Sequence, residues 1–154
     1  MITTAHAAAG PSASGPWFVV ADARRLPFTA RFDAAVSFNA LHWELQQAQA
    51  LEQLAAVVKP GGRVTIQMVC AGSRPSLESV AIEVCQRSSW ATWFDGFVAP
   101  FVHVDPDHFR DLAASADLRV ADLVVISDEV DAYEPIADRP GLFRFTQMRA
   151  ELRR

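Results

Sequence analysis

Between Trp17 and Gln67 two short apolar runs, an acidic turn, an amphipathic stretch and a third apolar run follow one another, and that order leaves few folds open. Trp17-Phe18-Val19-Val20-Ala21 ends at Asp22, and Phe32-Asp33-Ala34-Ala35-Val36-Ser37-Phe38 ends at Asn39. Both runs read as strands buried on two faces. From Glu44 to Val58 apolar side chains recur at positions 48, 51, 54, 55 and 58, the spacing of one helix face, until Lys59-Pro60-Gly61-Gly62 stops the helix. Arg63 to Cys70 reads as the next strand. Strand, helix and strand joined in this way predict a right-handed crossover in a mostly parallel sheet, an α/β fold. Ligands of such sheets bind beyond the carboxyl ends of the strands.

The chain has 154 residues, 51% of them hydrophobic, enough for one core and one domain spanning 1–154. A net charge of -4 with scattered arginines provides no basic stripe, which argues against nucleic acid as a partner. No apolar run approaches membrane-spanning length, and Met1 to Gly10 lacks the basic start and apolar core of a signal peptide, so a cytoplasmic protein with no membrane partner is expected. Cys70 and Cys85 have no paired spacing and the four histidines are dispersed, so no metal site is expected and both thiols read as reduced.

Several separated segments resemble the class I S-adenosylmethionine-dependent methyltransferases. Ala21-Asp22-Ala23-Arg24-Arg25-Leu26-Pro27-Phe28 is similar to the family's segment after its third strand, and Phe32 to Ser37 to its fourth strand. Asn39-Ala40-Leu41-His42-Trp43 resembles the turn that follows, and Val58-Lys59-Pro60-Gly61-Gly62-Arg63-Val64 the entry into the fifth strand. The His42-Trp43 pair and the later aromatics resemble the small-molecule branch that includes the trans-aconitate methyltransferases. In the family two further strands precede this region, the first followed by a Gly-rich turn that approaches the cofactor and the second ending in an acidic residue for the ribose. Neither is found, and the sequence contains no G-x-G pattern. The resemblance therefore implies a partial doubly wound, Rossmann-like methyltransferase sheet lacking its first two strands and, depending on 142–154, its last. Those two strands lie between the third and fourth in the family's sheet. Their loss would leave strand 32–38 with an apolar edge and force 17–21 to re-pair or detach, so that a poorly stable chain, a dimer through that edge or a fragment of a longer product is expected. It would also leave cofactor binding weak.

The rest of the chain reads in order. Met1 to Ala9 is Ala-rich and could end a helix, and Gly10 to Pro16 is a loop. Pro75 to Arg87 fits a helix with apolar positions 77, 80, 81, 84 and 85. An aromatic insert at about 88–104 carries Trp90, Trp93, Phe94, Phe97 and Phe101, which could form a lid over the substrate or pack the insert onto the sheet. Asp105-Pro106 is a cap and first turn for a helix through Ala116, and Leu118 to Ser127 is a strand candidate. Pro140-Gly141 leads into Leu142 to Arg154, read as a helix, with a strand as the alternative for Leu142 to Phe145.

The implied chemistry is attack of a small-molecule nucleophile on the methyl carbon of S-adenosylmethionine. Alignment and exclusion of water are the protein's share. By resemblance Asp22 would accept from the adenine amino group, the Ala23 backbone N–H would donate to the ring, and Phe38 and Asn39 would lie alongside the cofactor. The alternative for Asp22 is a turn residue bonding nearby backbone, and for Asn39 a plain strand-to-helix turn. His42 is the candidate catalytic residue, as base for a hydroxyl or as cation for a carboxylate; alternatively it starts a helix over a packed Trp43. Asp33, early in its strand, reads as structural. Two other readings stand beside the enzyme: an inactive methyltransferase remnant acting as an interaction partner, and a flavodoxin-like binding module.

Overall fold

The computed structural model describes residues 16–73, 75–129 and 144–154. The expectations for Met1 to Ala9, for Gly10 to Gly15 of the loop, and for Pro140 to Phe143 lie outside the described residues. Four strands form one sheet: β1 (Phe32–Phe38), β2 (Val58–Val69), β3 (Arg119–Glu129) and β4 (Arg144–Arg153), in the spatial order β1-β2-β4-β3. β1 and β2 pair in parallel, whereas β4 is antiparallel to both β2 and β3. Three helices complete the described fold: α1 (Gln47–Val57), α2 (Leu77–Cys85) and α3 (Pro106–Ser115), with a 3-10 turn at Leu41–Trp43.

The helix–strand boundary falls where the sequence changes character. α1 ends at Val57 and β2 starts at once, so Lys59-Pro60-Gly61-Gly62 lies inside the strand instead of closing the helix. The register of β1 on β2 jumps from Phe32↔Val58 to Ala34↔Arg63, and this segment bulges outward between them. Gly61 adopts φ 78°, and a Cβ on Gly62 would lie 2.3 Å from Val58 Cγ1 and 3.0 Å from the Asp33 carbonyl oxygen. Only glycine tolerates that approach. The Lys59 ammonium bonds the Asp33 carboxylate at 2.7 Å, which gives Asp33 its structural role at the strand's start.

The core is one layer of helices on one face of the sheet. Val64, Ile66 and Met68 of β2 and Met148, Ala150 and Leu152 of β4 are fully buried beside Leu51 of α1 and Phe109 of α3. Phe109 sits where the Asp105 cap directs it: the carboxylate accepts from the Asp107 and His108 backbone N–H groups at 2.9 Å, as the Asp-Pro pair predicts. The opposite face of the sheet is polar at its centre. Thr65 donates to Glu151 at 2.9 Å, and Gln67 to Gln147 at 2.9 Å.

Four expectations are corrected. Residues 17–21 are not a strand, and Trp17 is 85% exposed, because no strand among the described residues lies beside them. β1 is only partly covered on one face, at Ala35 and Ser37, with Val36 62% and Phe38 58% exposed on the other, because among the described residues no helix covers its row beside Thr65 and Gln67. Residues 144–153 are a strand, not part of a helix: β4 fills the gap between β2 and β3, and its alternating Met148, Ala150 and Leu152 supply half the buried layer. The sheet therefore has its last, antiparallel strand. Finally, α2 forms with Ser76 as its N-cap but has no buried residue, so its apolar positions do not serve the core.

Candidate functional site

The carboxyl end of β1 is where the candidate residues gather. Asn39 follows the strand with φ 50°, a left-handed conformation that asparagine tolerates better than most residues. Its N–H donates to the Gln67 carbonyl at 2.8 Å, and its Oδ1 accepts from Gln147 Nε2 at 3.0 Å. The side chain is thus oriented by the polar row on the sheet's open face, and Phe38 beside it faces solvent.

Asp22 lies in a tight turn closed by the Arg25 N–H to Asp22 carbonyl bond at 2.9 Å. The turn is tied to the same end of the sheet through Arg24. Arg24 Nη2 bonds Asp22 Oδ2 at 2.7 Å, Nη1 bonds Gln46 Oε1 at 3.2 Å, and Nε lies 3.7 Å from Glu44 Oε2. Leu26 N–H, donating to Gln53 Oε1 at 3.1 Å, fastens the following residues to α1. The Arg24 backbone N–H also donates to Asp22 Oδ1 at 2.9 Å, the short-range bond of an Asx turn. The Arg24 side chain first, and this backbone bond second, hold the Asp22 carboxyl down at about 2, so it is an anion across the neutral range. Ala23 occupies the tip of this turn.

His42 is 2% exposed, and its Nδ1 finds no hydrogen-bond partner among the described residues. The expectation for Trp43 is reversed: it is 49% exposed and is not core. The buried member of the pair is the imidazole, because the end of the aromatic insert folds over it. Val102 N–H donates to the His42 carbonyl at 2.8 Å, Gln47 Nε2 donates to the Val102 carbonyl at 2.8 Å, and Ala71 N–H donates to the Val104 carbonyl at 3.0 Å. These bonds bring His103 beside His42, with ring centroids 5.7 Å apart, and Phe101 stacks on His103 at 4.6 Å. Burial lowers the pKa of His42, and the neighbouring His103 lowers it further. His103, far away in sequence and on an irregular segment, carries no local signal that could have marked it.

The insert's other aromatics do not pack onto the sheet. Trp90, Trp93, Phe94 and Phe97 are all exposed, Trp93 by 82%. Phe94 and Phe97 meet edge to face at 5.8 Å and line, with Ile82 and Cys85 of α2, an open hollow of about 200 Å3. Among the described residues no group of three His, Cys, Asp or Glu is placed to hold a metal ion, and no helix is long and apolar enough to cross a membrane.

Comparisons with known proteins agree with this fold. The family model described as a methyltransferase domain matches residues 1–66. A malonyl-[acyl-carrier protein] O-methyltransferase of Pseudescherichia vulneris is 44% identical over 61 residues, 39% of this chain and 24% of that protein. The match thus spans about a quarter of that curated relative's length. A methyltransferase of Methanosarcina mazei superposes with a TM-score of 0.62 at 14% identity, covering 99% of this chain and 76% of that one. An S-adenosylmethionine-dependent methyltransferase of Mesorhizobium loti gives 0.61 at 17% identity, covering 98% and 75%. The 1,6-didemethyltoxoflavin-N1-methyltransferase of Burkholderia thailandensis, solved with S-adenosylhomocysteine, gives 0.58 at 15% identity over 89% of this chain and 50% of that one. The motif match over the first residues and the shape of the sheet that follows together place this chain in the fold of the class I S-adenosylmethionine-dependent methyltransferases.

Proposed function

We propose that this chain is the acceptor-side and adenine-side part of an S-adenosylmethionine-dependent methyltransferase that acts in the cytoplasm on a small molecule. The observation that carries the reading is that Arg24 ties the Asp22 turn to Glu44 and Gln46, which directly follow the Asn39–His42 segment beyond the carboxyl end of β1. Motif match and fold support it independently.

The residues present fit one end of the cofactor. Asp22 is ionised, exposed and fixed by Arg24, so a free lone pair can accept from the adenine amino group while the Ala23 N–H meets the ring. Phe38 is exposed beside Asn39 at the end of β1, so a planar base can lie against its ring. The described residues contain no Gly-rich turn after a strand, so they hold no cradle for the amino acid end. Bound there, S-adenosylmethionine supplies an activated methyl group. The chain's own part is to orient the acceptor, exclude water and manage its proton, for which His42 is the group at hand.

The open edge of β1 adds a second element. Among the described residues it has a strand neighbour only on the β2 side, and Val36 and Phe38 face solvent, so a second copy of the chain can pair with it. Equilibrium dialysis of the chain against labelled S-adenosylhomocysteine tests the cofactor reading. Weak binding that disappears in Asp22→Ala supports it, and absence of any binding overturns it.

A further inference from the structure

Four buried side-chain atoms lack a hydrogen-bond partner among the described residues: Gln47 Oε1, and three on the neighbouring side chains of His42, His103 and Glu78. His42 Nδ1, His103 Nε2 and Glu78 Oε2 each lack a hydrogen bond among the described residues, although each is shielded from solvent. They come from three separate places: the 3-10 turn after β1, the end of the insert, and the first turn of α2. Their meeting is enforced. The backbone bonds from Val102 and Ala71 pin the His103 segment against the ends of β1 and β2, and the Ser76 cap, accepting from Ser79 N–H at 3.1 Å, fixes the start of α2. The Glu78 charge is felt by both imidazoles, raising the pKa of each against the larger lowering by burial.

Orphaned buried polar groups cost about 1 to 3 kcal/mol each, so three in one place call for an occupant that bonds them. The chemistry of that occupant follows from the donors and acceptors. A carboxylate oxygen only accepts, and two neutral imidazoles offer one donor and one acceptor each. An anionic ligand would meet the Glu78 charge and leave its oxygen unbonded. We infer that His42, His103 and Glu78 form the pocket for the reacting group of the acceptor, and that this group carries a donatable hydrogen, as an alcohol or an amine does, rather than being a carboxylate. This deepens the methyltransferase reading and rests on it for the word acceptor. The binding site itself stands on the three side chains.

Nuclear magnetic resonance of the full chain tests the site without the cofactor. The His42 and His103 ring signals, assigned with His42→Phe and His103→Phe, are followed while 1-butanol, butylamine or butyrate is added. Saturable shifts of both rings with the alcohol or the amine are expected, the responding probe telling which acceptor fits. In His103→Phe, which keeps the stack on Phe101, the same probe should bind at least about fivefold more weakly. Glu78→Gln serves as the second variant, with weakening of the same sign. Preference for butyrate, or no shift of either ring with any probe, overturns the inference. The cofactor dialysis separates the two claims: probe binding without S-adenosylhomocysteine binding keeps the pocket and removes the methyl transfer, and the reverse removes the pocket alone.

Discussion

At the scale of single residues, Asp22 answers two demands with one carboxylate. It closes its own turn through the Arg24 backbone N–H and carries the Arg24 guanidinium, yet its exposure leaves room for a further donor. In a form of the protein that binds cofactor, Asp22→Ala should raise the Kd for S-adenosylhomocysteine about tenfold, read by calorimetric titration. Unchanged affinity would leave Asp22 with its turn alone. The two histidines give a second expectation at this scale. Burial holds the folded-state pKa of both below the ordinary 6.5, so below that value the unfolded chain binds more protons than the folded one. Stability should therefore be full above about pH 6.5 and fall as the pH drops through it. Asp22, Asp33 and Asp105, all depressed from 3.8, stabilise the fold fully at these pH values and lose that contribution only as the pH falls below about 3.8 and they take up protons. Urea midpoints measured between about pH 7.5 and about pH 5 should show the histidine slope, and His103→Phe should flatten it. A slope that survives this substitution unchanged would assign it to other groups.

At the scale of elements, the two capped helices differ in what they hold. Ser76 is buried and caps α2, which contributes nothing to the core; Ser76→Ala should cost about 1 kcal/mol, visible as faster amide exchange within α2. Phe109, fully buried on α3, is the opposite case. Phe109→Ala should cost about 3 to 5 kcal/mol of global stability in urea denaturation. Gly62→Ala should also destabilise, by about 1 to 3 kcal/mol, because the buried Val58 cannot yield the space its methyl needs. Asp105-Pro106 was legible as a cap because its bonds are local. The Lys59-Pro60-Gly61-Gly62 segment was misplaced for the converse reason: its turn formers signal a break in backbone direction, and only pairing with β1 and β4 makes that break a bulge within a strand.

At the scale of the whole molecule, the described residues form a sheet covered by helices on one face, with β1 and β3 as its two edge strands. If β1 mediates association, Val36→Lys should lower the dimer fraction in sedimentation velocity while leaving the fold intact, since Val36 is exposed. A monomer at all concentrations would dismiss that interface. The parallel β1–α1–β2 unit and the placing of Asn39 at its end were readable from sequence, because hydrophobic period and turn chemistry act over a few residues. Tertiary structure alone decided the rest. Residues 17–21 have the composition of a strand but no strand beside them, Arg144 to Arg153 became the antiparallel strand that β2 and β3 required between them, and His103 and Glu78 reached His42 only through packing. A strand is completed by its neighbours and a buried polar cluster by contacts remote in sequence, and neither is a property of the local run of residues.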